Sequence, residues 1–116
     1  MGVNLSQEVL GFIQQFCPGD KVSQISFIGY SLGGCIVRAA LPHLHHFRSK
    51  FYAFVSLGSP HLGYLYKAGA MFNTGMWLVS SWKESTVLKQ LRYTDGRNLN
   101  DCYLYRLAMS EGLDWF

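Results

Sequence analysis

Two dense apolar runs, residues 22–29 and 51–57, flank a single helical pattern at residues 32–41, and this order constrains the chain more than any other feature. In the first run Ile25, Phe27 and Ile28 nearly follow one another, and the second, FYAFVSL, is equally rich in aromatic and β-branched residues. Runs of this kind suit strands of a parallel sheet covered on both faces. Between them Ile36, Val37, Ala40 and Leu41 share one helical face, with Pro42 near its end. Strand, helix, strand is a βαβ unit, so the expected fold class is α/β, with parallel strands and a right-handed crossover.

An amphipathic helix precedes the unit. Leu5, Val9, Phe12, Ile13 and Phe16 follow the i, i+3/i+4 rhythm over residues 4–16, with Asn4 and Gln7 as a capping pair and Pro18-Gly19-Asp20 as the stop. After Gly58 no further strand is evident. Residues 64–82 read as an interrupted helix, and Val87, Leu88 and Leu91 mark a short one after Ser85. Asp95-Gly96 reads as a turn. Asn100 is placed to cap a last helix in which Tyr103, Leu104, Leu107 and Ala108 share a face, with Gly112 as its terminator.

A chain of 116 residues holds one domain at most, and 49% hydrophobic against 15% charged residues is the composition of a globular core. The net charge of +3 is thinly spread, without two adjacent Lys/Arg residues, which excludes a nucleic-acid footprint. Cys17, Cys35 and Cys102 have neither CxxC nor zinc-finger spacing and read as reduced thiols of a cytoplasmic protein. No basic region followed by an apolar stretch marks a signal peptide. MGVNLS fits a myristoylation pattern at Gly2, but a pattern this short is met by chance. The longest apolar region, residues 68–82, is broken by Gly69, Asn73 and Gly75 and is too short to span a bilayer.

The chemistry gathers at Gly29-Tyr30-Ser31-Leu32-Gly33-Gly34, where the first strand meets the helix. In a nucleophile elbow the serine sits on a strained strand-to-helix turn that lifts its hydroxyl above the sheet edge. Gly29 and Gly33 are expected where neighbouring backbone comes too close for a side chain, and Gly34 where the helix packs close. The N–H of Leu32, next to the nucleophile and at the positive helix end, would face a developing oxyanion. G-x-S-x-G alone is weak, since an ordinary Gly/Ser turn also fits it; the strand before, the helix after and the second strand beyond sharpen it.

FIGYSLGGCIVRAAL followed by FVSLGSPHLGYLY resembles the lipase-like putative serine esterase family of the α/β-hydrolase superfamily. That family has a G-[HY]-S-[LM]-G elbow and a later strand ending in G-[ST]-P-H-x-G. MFNTGMWLVSSWKES and LYRLAMSEGLDWF resemble its central helical stretch, so the similarity covers nearly the whole chain. The resemblance implies Ser31 as nucleophile on carboxylic esters, often of lipids, without a cofactor. Tyr30 stands where His is frequent in the family, which bears on the shape of the site rather than its chemistry.

The activating residues are out of order. In this fold the chain runs Ser, then Asp/Glu, then His. After Ser31 the acids are Glu84, Asp95, Asp101, Glu111 and Asp114, whereas the last histidine is His61. The oxyanion donor contributed from an earlier strand is missing as well. The resemblance implies that the 116 residues are the middle of a single partial hydrolase domain, lacking its N-terminal strands and its C-terminal acid and histidine strands.

Other residues admit plainer roles. His61 lies in the loop after the second strand, where open α/β sheets place their sites; it reads as site-lining before it reads as a substitute base. His43, His45 and His46 suggest a metal, yet no Cys or carboxylate is near, and a solvated helix end fits better, leaving no metal site expected. Cys35, one turn after Ser31, reads as a packing residue. Met71, Phe72, Met76, Trp77 and Leu78 could wall an acyl chain or simply pack on the sheet.

Two functions of different class follow. One is a serine esterase or lipase-like hydrolase, inactive as this fragment, with a small-molecule or lipid ester as partner and peripheral membrane contact left open. The other is a non-catalytic α/β-hydrolase scaffold for binding or regulation. Acyl transfer to an alcohol would share the acyl-enzyme and is not separable by sequence.

Overall fold

The computed structural model describes residues 1–19, 21–63, 86–110 and 115. These form two compact units, one of Met1–Ser59 with Ser110–Phe116, the other of Pro60–Met109.

The first unit is mixed α/β. Helix α1 spans Gly2–Phe16, strand β1 Ile25–Tyr30, helix α2 Leu32–Ala40, a 3₁₀ segment Leu41–Lys50 and strand β2 Phe51–Leu57. β1 and β2 pair in parallel, with Phe27 opposite Phe54, Ile28 opposite Val55 and Gly29 opposite Ser56, and a register shift between Ile25 and Ser26. Parallel pairing requires the crossover that α2 and the 3₁₀ segment supply.

The core lies on one face of this sheet. Val37, Ala40, Leu41, Leu44 and Phe51 are buried together, and Leu5, Val9, Ile25, Phe27 and Phe54 pack against them. Helix α1 crosses α2 where Gly2 meets Ala39, and a Cβ on Gly2 would come within 2.6 Å of the Ala39 carbonyl carbon. Trp115 returns to this unit, its ring stacked on Phe51 at 6.0 Å and lying under the Arg48 guanidinium.

Several expectations shift. β1 begins at Ile25 rather than at Val22, and α1 begins at Gly2, which leaves Asn4 and Gln7 inside the helix and gives the cap position to Met1. The helix after the elbow ends where expected, α2 closing at Ala40 just before Pro42, and the chain then continues in 3₁₀ turns to Lys50 that are kinked at the non-helical, fully buried Leu44 (φ −111°, ψ 18°). The strands are not covered on both faces. Ile28 and Tyr30 are 74% and 77% exposed, and Val55 and Leu57, opposite them, are exposed too.

In the second unit the turn Pro60–Gly63 is closed by the Gly63 N–H donating to the Pro60 carbonyl at 2.9 Å. Gly63 has φ +67°, and a Cβ there would lie 2.8 Å from the Tyr93 ring and would meet the Leu91 carbonyl. Helix α3 spans Thr86–Leu91, a 3₁₀ turn Leu99–Asp101 and helix α4 Tyr103–Ala108. Asn100 does not cap α4. It lies inside the 3₁₀ turn bracketed by Asn98 and Asp101, while the Tyr103 N–H at the start of α4 donates to Asp95 Oδ2 at 2.9 Å. Among the described residues there is no strand beyond β2, and no helix is long and apolar enough to cross a membrane. The expected helix at 64–82, with its Met71–Leu78 cluster, and the Gly112 terminator fall outside the described residues.

Candidate active site

β1 ends at Tyr30 and α2 begins at Leu32, so a single residue, Ser31, makes the reversal. Its backbone has φ 51° and ψ −126°, a left-handed conformation that a residue with a Cβ adopts only under constraint. Holding it there costs about 1–3 kcal/mol. The constraint is visible on the strand side: the Ser31 N–H donates to the Leu57 carbonyl at 2.8 Å, extending the ladder beyond Tyr30. On the helix side the Ser31 carbonyl accepts a longer bond of 3.3 Å from Gly34.

The Ser31 side chain is exposed and does not cap α2. Leu32 is the first residue of that helix, so its N–H has no intrahelical acceptor. No acidic residue lies in the first turn to neutralise the positive end of the helix dipole. An exposed hydroxyl, an orphan N–H beside it and a positive helix end together can receive an attacked carbonyl and its developing negative charge.

Glycines make the bend sterically feasible, and their shares are unequal. A Cβ on Gly29 would collide with the Gly34 Cα and come within 2.6 Å of its nitrogen. A Cβ on Gly34 would collide with Ser59 Oγ and lie 2.6 Å from Ser56 Oγ. Gly33, expected to be equally crowded, has no described atom within 4 Å of such a Cβ. Close approach therefore falls on Gly29 and Gly34. Ser56 and Ser59, which seat Gly34, are contributors the sequence reading missed. Their signal was the small residues in VSLGSP, just where β2 must pass the elbow.

The remaining nominated residues are distributed as follows. Tyr30 is exposed at the end of β1, on the strand face opposite the core. His61 is half-buried in the Pro60–Gly63 turn of the second unit. Cys35 is buried on α2, and its burial raises the thiol pKa against the opposing pull of Arg38. His43, His45 and His46 are exposed along the 3₁₀ segment, the last two with ring centroids 3.8 Å apart. No three His, Cys, Asp or Glu residues gather as a metal site among the described residues. An apolar groove of about 390 Å³ lies between the end of α1 and the 3₁₀ segment, lined by Ile13, Cys17, Val22 and Phe47, and holds none of the elbow residues.

The sequence profile of the putative serine esterase family matches residues 1–115. The chain belongs to that family. No solved structure matches it.

Proposed function

We propose that this member of the putative serine esterase family carries the nucleophile-bearing middle of an α/β-hydrolase domain. Ser31 Oγ attacks the carbonyl carbon of a carboxylic ester, and the Leu32 N–H, with the positive end of α2 behind it, holds the oxyanion. Collapse of the tetrahedral intermediate expels the alcohol and leaves an acyl group on Ser31, which water then removes. Lipid esters are the substrate class, and Tyr30 shapes the rim beside the nucleophile. The observation that carries this reading is the backbone of Ser31, held at φ 51° and ψ −126° between a strand and a helix with its hydroxyl exposed.

The Ser31 proton must pass to a base, and in this fold the base follows an acid in sequence. Within these 116 residues every acid after Ser31 comes later than the last histidine, His61. The nucleophile and its oxyanion donor are thus one half of the machinery. Steady hydrolysis of a short p-nitrophenyl ester by the 116-residue chain is expected to match that of Ser31→Ala. A fluorophosphonate, which needs only a single displacement at the serine, should still label Ser31 selectively, because oxyanion stabilisation survives loss of the base. Mass spectrometry finding label spread evenly over the serines of the folded chain would refute the assignment. The residue order also favours a second reading, a non-catalytic binding or regulatory module on the same scaffold; selective labelling of Ser31 counts against it.

A further inference from the structure

Ser59 lies just beyond β2, and its Oγ is buried without a hydrogen-bond partner among the described residues. An unpaired buried hydroxyl is destabilising, and an alanine at the same place would bury nothing polar. A buried hydroxyl of this kind calls for an explanation. The position of Ser59 supplies one. A Cβ added to Gly34 would collide with Ser59 Oγ and lie 2.7 Å from Ser59 Cβ, so the serine side chain fills the place beside the bare Gly34 Cα. Gly34 lies in the first turn of α2 and on its other side abuts Gly29 of β1. Ser59, Gly34 and Gly29 thus stack from the end of β2, through the first turn of α2, to the end of β1. These three elements meet at Ser31, whose N–H is tied to Leu57.

We propose that Ser59 is a positioning residue for the elbow: its hydroxyl is the stop against which the first turn of α2 rests, setting where the Leu32 N–H stands relative to Ser31 Oγ. The role rests on the reading of Ser31 as nucleophile, and Ser59 acts through Gly34 rather than on the reacting atoms. The oxygen is the one heavy atom by which serine exceeds alanine. Removing it opens room for the turn to settle toward β2 and for the torsion at Ser31 to relax.

The test compares wild type, Ser59→Ala and Ser59→Cys in the 116-residue chain. The probe is a fluorophosphonate, in which the Ser31 oxygen bonds to phosphorus, fluoride departs and the serine proton passes to buffer. Ser59→Ala should raise the thermal midpoint by about 4 °C, the sign expected when an orphan hydroxyl is removed. It should also slow labelling of Ser31 about tenfold in kinact with KI unchanged, as a displaced reaction geometry would. Ser59→Cys, with a bulky atom restored at the stop, should recover most of that rate. A residue that only packs would lose stability and rate together. A lowered midpoint in Ser59→Ala, or labelling at the wild-type rate, overturns the proposal. If no variant labels, wild type included, the nucleophile reading fails. Ser59 is then judged on the Leu32 and Gly33 amide resonances alone: displacement in Ser59→Ala supports the stop, and unchanged shifts remove it.

Discussion

The backbone N–H of Ser31 bonds to the carbonyl of Leu57 at 2.8 Å, so the parallel ladder between β1 and β2 ends on the bent residue itself. Strand pairing thereby holds Ser31 in a conformation that suits glycine better than serine. Ser31→Gly is expected to be more stable than Ser31→Ala by about 1 kcal/mol, since alanine keeps the Cβ penalty and glycine sheds it. Urea unfolding of the two variants measures the difference. Equal midpoints would mean that the bend carries no torsional cost.

The two glycines after Leu32 should respond oppositely to a methyl group. Gly34→Ala drives a Cβ into Ser59 and Ser56 and should cost about 1–3 kcal/mol. Gly33→Ala meets no described atom within 4 Å and should be neutral or stabilising by up to about 1 kcal/mol, the usual gain of alanine over glycine in a helix. Thermal midpoints of the pair decide it, and a reversed order would contradict the crowding seen at Gly34.

Cys35 gives a pH dependence with a definite sign. Burial raises its pKa above the ordinary 9.0, opposed by Arg38, so the folded chain keeps the thiol proton to higher pH than the unfolded chain does. Its contribution to stability is intact below about pH 9 and is lost as pH rises through the folded pKa. Cys35→Ala should flatten the alkaline limb of stability against pH, whatever it does to stability at neutral pH. In the wild type, iodoacetamide should reach half-buried Cys17 well before buried Cys35.

Trp115 contributes through two ring contacts. Its ring stacks on Phe51 at an interplanar angle of 16°, and the Arg48 guanidinium carbon lies 5.5 Å from its centroid. Trp115→Ala should destabilise the fold by about 1–2 kcal/mol. A double-mutant cycle with Arg48→Ala should return a coupling of about 0.5–1 kcal/mol, and a coupling of zero would reduce the cation–π pair to mere proximity.

Ile28, Tyr30, Val55 and Leu57 lie exposed on the sheet face opposite the core. Parallel sheets are seldom left uncovered in this way, and bare apolar faces and strand edges promote association. The isolated chain should self-associate at micromolar concentration in sedimentation velocity. Ile28→Lys should shift it toward monomer with little loss of stability, since the side chain is already solvated. A wild-type chain sedimenting as a stable compact monomer would count against this.

How much of this was legible in the sequence depends on how local each determinant is. β2 is where FYAFVSL placed it, because a dense β-branched and aromatic run carries its own conformational preference. The site of the bend was legible for the same reason, with a strand running into Gly29 and a helix out of Leu32. Exact boundaries were less so: Val22, Ser23 and Gln24 have strand character only with a partner, and β2 begins opposite Ile25. The cap at Asn4 was misplaced because helix α1 is anchored by the tight fit of Gly2 against Ala39, a contact between distant segments. The crowding at Gly34 rather than Gly33 likewise depends on Ser56 and Ser59, which arrive only through the crossover. The clue at Asn98 is local, since Asn98-Leu99-Asn100-Asp101 has the spacing of a capping box, whereas Asn100 only has the residue type of a cap.

The bond from Ser31 to Leu57 has a consequence for anyone wishing to study the bend by itself. A synthetic peptide reproducing ISFIGYSLGG would lack the carbonyl that restrains its serine and would relax into an ordinary turn. Antibodies raised against such a peptide, or peptide mimics built from it, would therefore address a shape that the folded protein does not contain.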